Sequence, residues 1–297
     1  MKPQIAQISR MKLFLKSVES VQSVVDMENK LIFLKLGGSA ITDKTRESAA
    51  RLDVIQRIAR EVKNARAKNP AQKILIGHGS GSFGHYAAKK SGYGAQGDWR
   101  AYAETGAAAW RLTRIITDIF LDAGVPMVAM QPSASAMCRD GKLIRLAFEP
   151  AQTALAHNLV PLVFGDVSFD ETRRMTIVST EMIFAYLAPI LRPSRIVLAG
   201  IVDGVFTGDP LKNPDAQLIR EITSANFARI EASLSGSHGV DTTGGMLTKV
   251  KGMLALIERE PGITARVISA MRAGMIERAL SVENFDAGTL LTAESRA

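Results

Sequence analysis

The stretch Leu31-Ile32-Phe33-Leu34-Lys35-Leu36-Gly37-Gly38-Ser39 decides the fold class of this 297-residue chain. A short, continuous apolar run that ends at glycine is typical of a strand buried on both faces of a parallel sheet. The two glycines let the backbone approach a ligand closely and aim N–H groups at it. Lys35 stands inside the run, where an unpaired ammonium group would cost much free energy. We interpret Lys35 as facing a phosphate, with a buried structural ion pair as the alternative.

The same kind of pattern continues along the rest of the chain. Short apolar runs predict strands at residues 73–76, 126–130, 159–164, 195–199 and 265–269. Periodic apolar positions predict helices at residues 53–68, 99–121, 181–191 and 244–259. Apolar strands that alternate with helices predict an α/β fold, in which a mainly parallel sheet is covered by helices on both faces. No linker or repeat follows residue 30, so residues 31–297 are expected to form a single domain.

The composition excludes several classes of protein. With 46% hydrophobic residues, the chain can bury a sizeable core, which disordered chains cannot do. Cys138 is the only cysteine, which excludes a disulfide framework and a cysteine zinc site, and we expect a cytoplasmic protein. The longest apolar stretches, such as 183–191, are far shorter than the roughly 20 residues that span a bilayer. We therefore expect no association with a membrane.

The net charge of +8 is compatible with three kinds of partner: nucleic acid, an anionic membrane or a small phosphorylated ligand. Only 6% of the residues are aromatic, which leaves few side chains to stack on bases. Residues 53–73 carry six basic side chains, which a solvated helix face explains better than a nucleic-acid surface. We expect a small phosphorylated substrate and no nucleic acid, with a basic nucleic-acid-binding protein as an alternative.

Residues 1–30 differ in pattern from the rest of the chain. Apolar residues at helical spacing indicate a short amphipathic helix, but the long apolar core and the cleavage site of a secretory signal are missing. Met27 lies directly before the first predicted strand. We interpret residues 1–30 as an N-terminal extension, with residues 1–26 either an appendage or the product of a translation start placed too early.

Residues 77–85, Gly-His-Gly-Ser-Gly-Ser-Phe-Gly-His, form a glycine-rich stretch after the second predicted strand. Four glycines in nine residues cost backbone entropy unless the backbone must approach something closely. The stretch leads into a helix expected near residues 86–90, and the N-terminus of a helix binds anions. His85 is therefore suited to donate to a phosphate oxygen, with a capping or surface histidine at the start of the helix as the alternative. His78 is expected to pack or to bond the backbone.

Three further motifs follow predicted strands or open a predicted helix: Gly165-Asp166-Val167, Asp203-Gly204-Val205-Phe206 and Asp241-Thr242-Thr243-Gly244-Gly245-Met246. Lys249 lies in the first turns of the helix after the last motif, where a cation is unfavourable unless an anion lies nearby. Lys249 is therefore a phosphate-binding candidate. Lys44, close to the first glycine pair, is another, with a solvated surface lysine as the alternative. Lysines, a histidine and glycine-rich strand ends suit phosphoryl transfer, which needs positive groups that fix and neutralise phosphoryl oxygens.

In the order and spacing of these motifs, residues 31–290 resemble the amino acid kinase superfamily, and within it the isopentenyl phosphate kinases. The resemblance includes Lys35-Leu36-Gly37-Gly38-Ser39, Ile41-Thr42-Asp43-Lys44, the stretch 77–85, the three motifs above and Lys249. His85 at the end of the glycine-rich stretch points to the isopentenyl phosphate branch. The resemblance implies an open three-layer αβα sandwich, ATP with Mg²⁺, and a homodimer that transfers the γ-phosphate to a phosphate monoester.

The resemblance also implies roles for individual residues. Lys35 and Lys44 would stabilise the transferring phosphoryl group, Glu181 would be catalytic with them, and His85 would bind the phosphate of the acceptor. The nucleotide site would be lined by Lys35, Gly37, Gly38, Ser39, Ser80, Asp203, Gly245 and Lys249. The acceptor would be contacted by Gly79, Gly84, His85 and Gly165. No metal site made of protein side chains is implied.

Two motifs depart from the family pattern. Gly79-Ser80-Gly81 stands where the family usually has three consecutive glycines, and the second departure is more serious. Ser179-Thr180-Glu181 stands where the family has Ser-Gly-Asp, whose Asp organises the catalytic lysines. Glu181 keeps the charge but adds a methylene, which changes the reach of the carboxylate by about 1 Å, a displacement that matters in catalysis. From this pattern we expect Glu181→Asp to preserve or raise activity. Two alternatives remain open: a kinase similar to the fosfomycin kinases, and a nucleotide-binding regulator that has lost turnover.

Overall fold

A computed structural model of the protein describes residues 31–93, 98–235 and 245–293. The predicted N-terminal extension, residues 1–30, lies outside the described residues. The strands of the described part are β1 (Leu31–Leu36), β2 (Lys73–His78), β3 (Met127–Ala129), β4 (Met137–Arg139), β5 (Lys142–Arg145), β6 (Val160–Phe164), β7 (Asp166–Asp170), β8 (Arg174–Val178), β9 (Arg195–Gly200), β10 (Val205–Phe206), β11 (Leu218–Ile219), β12 (Glu221–Thr223), β13 (Thr264–Ser269) and β14 (Thr289–Thr292).

Helices connect many of these strands. They are α1 (Gly38–Ile41), α2 (Leu52–Lys68), α3 (Gly81–Ser91), α4 (Trp99–Asp122), α5 (Glu149–Ala156), α6 (Thr180–Leu191), α7 (Ser224–Ser235), α8 (Met246–Arg259) and α9 (Met275–Ser281). A single 3₁₀ turn lies at Pro132–Ala134 in the same described ranges. Within those ranges, no helix combines the length and the apolar character that crossing a membrane requires.

The main sheet has eight strands in the order β12-β14-β13-β9-β1-β2-β6-β3. Neighbouring strands run parallel, except for the antiparallel pair of β13 and β14. Parallel neighbours need crossover connections, and helices between the strands provide most of them. The predicted α/β fold class with a mainly parallel open sheet is confirmed.

β1 lies inside the sheet between β2 and β9, and all six of its residues are buried. Side chains alternate along a strand, so Leu31 and Phe33 join the core on one face, while Ile32 and Leu34 join the core on the other. Burying each such side chain contributes about 1.5–3 kcal/mol. Lys35 follows the same alternation, and it therefore points toward the layer of helices that packs on Phe33.

Helices cover both faces of the main sheet. α5, α6 and α8 pack on the face of Phe33, whose ring centroid lies 4.9 Å from that of Phe184 in α6. α2, α4 and α9 pack on the opposite face through Ile58, Ile116 and Ile276. This arrangement is the three-layer αβα sandwich that the family resemblance implies.

The start of α3 differs from the prediction. The helix expected near residues 86–90 begins at Gly81, inside the glycine-rich stretch. The low helix propensity of glycine argues against a helix there. A tertiary contact overrides that propensity, because the N–H of Ser82 donates to Thr42 Oγ1 at 2.9 Å and fixes the first turn.

A second sheet, in the order β5-β4-β7-β8, is not among the predicted elements. β4 with β5 and β7 with β8 form antiparallel pairs, and β4 and β7 run parallel. The buried carboxylate of Asp170 joins the two connecting turns, since it accepts from the N–H groups of Gly141 at 2.7 Å and Arg173 at 2.8 Å. Asp140 and Gly141 both have positive φ. Asp-Gly between two short strands is a hairpin signal that could have predicted half of this sheet.

Candidate active site

The carboxyl ends of neighbouring strands meet at one edge of the main sheet. The N–H of Gly37, just after β1, donates to the carbonyl of Ala199 in β9 at 2.8 Å. The N–H of Gly165, just after β6, donates to the carbonyl of His78 in β2 at 3.1 Å. The glycine motifs at the ends of β1, β2 and β6 are thereby held side by side, at the edge where open α/β sheets bind ligands.

The first two glycine motifs contact each other directly. A Cβ atom on Gly38 would lie 2.7 Å from the Cα atom of Gly81, so a larger residue at position 38 would displace the backbone. Gly81 has a φ of +52°, where other residues are strained, and a Cβ there would collide with Thr42. The Thr42 hydroxyl donates to the Gly38 carbonyl at 2.7 Å and accepts from the N–H of Ser82. These bonds fasten the two motifs into one unit.

Lys35 forms an ion pair at the centre of this edge. Its Nζ donates to Glu181 Oε1 at 2.5 Å, and Lys35 is only 8% exposed. Burial raises the pKa of Glu181. The charge and the hydrogen bond of Lys35, together with a backbone hydrogen bond and the charge of Lys249, outweigh burial, so this pKa lies below its ordinary value. The buried ion pair considered above for Lys35 is thus present, and it holds the ammonium group directly before the first glycine motif.

A second cation lies near this ion pair. Lys249, in the first turns of α8, is close enough to Glu181 for its charge to lower the pKa of that carboxyl group. Gly245 is the N-cap of α8, so the helix predicted at 244–259 begins at Met246, and residue 244 lies outside the described residues. Two ammonium groups thus lie near one carboxylate, and such cations suit the binding of a phosphate.

His85 lies on α3 with an exposed side chain. Its Nδ1 is 2.7 Å from the Gly81 carbonyl, and because a carbonyl only accepts, we assign the proton to Nδ1. Donation from Nε2 to a phosphate oxygen then requires a second proton on the ring. Packing also requires a glycine at position 84, in addition to its predicted contact with the acceptor, because a Cβ there would collide with the side chain of Ser80.

Lys44 and Asp203 have partners other than the central ion pair. Lys44 is exposed in the turn after α1, and among the described residues no salt bridge joins it to Glu181. Glu181 contacts Lys35 directly, and its expected action on Lys44 stays a prediction. The Lys44 carbonyl accepts from Tyr86 Oη at 3.2 Å, which ties the turn to α3. Asp203 forms an ion pair with Arg272, in the loop after β13.

His78 is fully buried at the end of β2, which confirms its predicted packing role. Its ring stacks on that of Phe164, with the centroids 5.4 Å apart, and its Nε2 hydrogen-bonds Thr113 Oγ1 at 2.9 Å. Nδ1 is 3.1 Å from the Gly79 carbonyl, so the ring supports the glycine loop. Burial lowers the pKa of His78 to about 4, although the bond to Gly79 acts in the opposite direction.

This buried histidine makes the stability of the fold depend on pH. The pKa of His78 rises from about 4 in the folded state to 6.5 on unfolding, so the unfolded chain binds more protons between these values. The stability that neutral His78 provides is complete above that range, and about 3 kcal/mol of it is lost as the pH falls through it. Urea unfolding at about pH 7.5 and about pH 4.5 should differ less for His78→Gln than for the wild type.

The matched control is His157→Gln, because His157 is exposed. This control is expected to keep the pH dependence of the wild type. If His78→Gln and His157→Gln lose the same free energy of unfolding on acidification, His78 is not the group responsible.

Comparison with known proteins places this geometry in a family. Residues 30–269 match the family model described as “Amino acid kinase family”. The chain belongs to the amino acid kinase family. The match extends over the whole edge of the sheet described above, from Lys35 to Lys249.

Three relatives show how far the similarity extends. An isopentenyl phosphate kinase of Methanothermobacter thermautotrophicus is 36% identical over 273 residues, which cover 88% of this chain and 99% of that protein. An isopentenyl phosphate kinase of Methanocaldococcus jannaschii is 34% identical over 232 residues, which cover 74% of this chain and 85% of that protein. A solved structure titled “X-ray structures of isopentenyl phosphate kinase” superposes with a TM-score of 0.73 at 33% identity, covering 88% of this chain and 99% of that one.

The roles of three residues near the site of this amino acid kinase family member could not be predicted from the sequence: Thr42, Thr180 and Arg272. Thr42 and Thr180 lie inside motifs that the sequence singles out, but each acts through a hydrogen bond to another segment, which leaves no local pattern. Arg272 pairs with Asp203, which lies 69 residues earlier in the chain. No sequence signal marks that contact.

The site offers cations and backbone N–H groups rather than a metal cage. In the part of the chain that the structure describes, no group of three or more His, Cys, Asp or Glu residues could hold a metal ion. Two carboxylates near the site, Glu181 and Asp203, are each paired with a basic side chain. These residues fit a nucleotide that brings its own Mg²⁺, since that ion is commonly held by substrate phosphates and water.

Proposed function

We propose that this protein is an ATP-dependent isopentenyl phosphate kinase. An oxygen of the acceptor phosphate attacks the γ-phosphorus of ATP, and the bond from that phosphorus to the β–γ bridging oxygen breaks. Isopentenyl diphosphate and ADP are the products. The main observation in favour of the proposal is the Lys35–Glu181 ion pair, which lies beside the two glycine motifs that Thr42 joins. Its support is the 36% identity with an isopentenyl phosphate kinase over nearly the whole of that protein.

Positive charge and fixed position are the main contributions of these residues, because phosphoryl transfer involves little covalent chemistry of the protein. Glu181 fixes the Lys35 ammonium in advance, so little reorganisation is needed when charge moves to the leaving oxygen. Lys249 faces the phosphates of ATP, and Lys44 approaches the transferring group from the turn after α1. The nucleotide side is completed by Gly37, Gly38, Ser39, Ser80, Asp203 and Gly245.

The acceptor carries a phosphate rather than a carboxylate. His85 donates from Nε2 to a phosphate oxygen while its Nδ1 donates to Gly81, so the ring is an imidazolium ion in the complex. Such charge-assisted bonds favour the dianionic phosphate. A carboxylate would call for a bidentate arginine, and the stretch 77–85 contains none. Gly79, Gly84 and Gly165 lie on the acceptor side.

Mg²⁺ enters with ATP, where it offsets the charge of the phosphates. The protein works as a cytoplasmic homodimer. Residues 31–297 are one domain, and residues 1–26 of the N-terminal extension are not needed for activity. The family match begins at residue 30.

The proposal is tested with a panel of acceptors: isopentenyl phosphate, fosfomycin and glutamate, each supplied with ATP and Mg²⁺ and scored for ADP release. Isopentenyl phosphate is expected to give the highest kcat/KM. Turnover of fosfomycin alone would favour a kinase similar to the fosfomycin kinases. Binding of ATP without turnover of any acceptor would favour a regulator.

Replacing His85 distinguishes binding of the acceptor from binding of the nucleotide. His85→Ala is expected to raise KM for isopentenyl phosphate and to lower kcat, each by about tenfold or more, because a charge-assisted hydrogen bond contributes about 1.5–3 kcal/mol. The Kd of ATP should stay close to that of the wild type. His85→Gln should recover part of the activity as a neutral donor. An unchanged KM for the acceptor in His85→Ala, with His157→Ala as the control, would contradict the assigned role.

A further inference from the structure

The first residue of α6, Thr180, is bound to the end of β2 on two sides. Thr180 is 1% exposed, and its hydroxyl donates to the carbonyl of His78 at 2.6 Å. Its methyl group fills the space beside Gly77, where a Cβ atom would collide with it. The start of α6 is therefore seated against β2 by one polar and one apolar contact.

The hydroxyl of Thr180 is not needed to cap its own helix. Ser179 is the N-cap, and its side chain accepts from the N–H of Met182 at 3.1 Å. The carbonyl of His78 also has a second donor, the N–H of Gly165. Neither the helix end nor that carbonyl depends on Thr180 to be satisfied, so the bond between them serves to set the distance between α6 and the sheet.

That distance bears directly on the catalytic ion pair. Lys35 lies opposite Gly77 in the register of β1 and β2, and Leu36 lies opposite His78. The His78 carbonyl that binds Thr180 lies on β2, and Lys35 lies on the neighbouring strand β1. The two strands are separated by a single strand spacing of about 4.8 Å. Glu181 is the next residue after Thr180, and it reaches across to Lys35.

We infer that Thr180 is a positioning residue, whose hydroxyl sets the Glu181 carboxylate against the Lys35 ammonium by docking α6 on the His78 carbonyl. The inference rests on the proposed function, because it concerns the same phosphoryl transfer. Thr180 touches neither reactant and acts only through Glu181.

Thr180→Val and Thr180→Ser separate the two contacts, since Val keeps the shape without the hydroxyl and Ser keeps the hydroxyl. Thr180→Val is expected to lower kcat by about ten- to hundredfold, the cost of a displacement near 1 Å, with both KM values little changed. Thr180→Ser should retain most of the activity. Thr117→Val is the control, because Thr117 in α4 is also buried and donates to the Thr113 carbonyl at 2.8 Å.

A double-mutant cycle with Glu181→Gln distinguishes positioning from general loss of structure. If Thr180 acts through Glu181, adding Thr180→Val to Glu181→Gln should change kcat by less than about twofold, because coupled residues are not additive. Equal effects in both backgrounds, or a wild-type kcat in Thr180→Val, would overturn the inference. If Thr180→Val does not fold, Thr180→Ala removes the same hydroxyl and decides the question in the same cycle. Failure of the wild type to use isopentenyl phosphate would instead count against the proposed function.

Discussion

Lys35→Met is expected to lower kcat by about 100- to 1,000-fold, with a much smaller change in KM for ATP. The ammonium group is buried, is fixed by Glu181 and lies directly before the first glycine motif. A preorganised group that stabilises developing charge contributes about 2.7–4 kcal/mol to the transition state. Methionine is also unbranched, but its side chain is one heavy atom shorter than that of lysine and carries no charge, so the variant removes the charge while filling most of the same space.

Stability must be measured alongside activity, because the variant leaves the Glu181 carboxylate without its partner. Breaking a buried ion pair on one side costs about 3–5 kcal/mol, and less where solvent reaches the carboxylate as it does here. The double variant Lys35→Met/Glu181→Gln has neither charge, so it is expected to melt nearer the wild type and still to be inactive. A wild-type kcat in either protein would exclude Lys35 from catalysis.

Variants of two other lysines serve as comparisons for Lys35→Met. Lys63→Met changes an exposed residue of α2 and is expected to leave kcat unchanged. Lys44→Ala should lower kcat without lowering the melting temperature, since its side chain is exposed. A wild-type kcat for Lys44→Ala would show that the role implied by family resemblance does not apply to this chain.

Glu181→Ala is expected to lower kcat by about 100-fold, because it releases the Lys35 ammonium from its fixed position. The measurement is kcat at saturating ATP and isopentenyl phosphate, with circular dichroism to confirm the fold. Glu171→Ala is the matched control, since Glu171 forms an exposed ion pair with Arg139 away from the site. Normal kinetics in Glu181→Ala would remove this carboxylate from the mechanism.

The geometry revises the expectation for Glu181→Asp. The sequence pattern alone favours Asp, but the Thr180 hydroxyl bonds the His78 carbonyl, and this bond opposes the shift of α6 that a shorter side chain would need. The loss of one methylene lengthens the 2.5 Å contact with Lys35 by about 1 Å, and we expect kcat to fall by about tenfold. An Asp variant as active as the wild type would show that α6 moves to compensate.

The features that could be predicted from the sequence are those encoded locally. The apolar run 31–36 with its single lysine predicts the buried strand and its charged end, and the glycines of 77–85 predict a close backbone approach. Periodicity is read within one segment, so it identifies the αβα layers without knowledge of tertiary contacts. The position of Lys249 in the first turns of a helix predicts a cation at a site for anions, and the structure places it near Glu181.

The features that could not be predicted depend on contacts between distant segments. The start of α3 at Gly81 requires the bond from Thr42, and the ion pair of Asp203 requires Arg272 from a loop after β13. Spacing alone places Lys44 beside the first glycine pair, yet its side chain is exposed in a turn. The sequence marks Thr180 only as a departure from a family pattern, because its partner, the His78 carbonyl, lies about a hundred residues earlier.

Transfer of label from [γ-³²P]ATP to isopentenyl phosphate tests the central claim most directly. Wild-type protein with Mg²⁺ is expected to yield isopentenyl diphosphate that carries the label in its terminal phosphate, and Lys35→Met is expected to yield almost none. Label that appears only as inorganic phosphate, or in fosfomycin but not in isopentenyl phosphate, would contradict the claim.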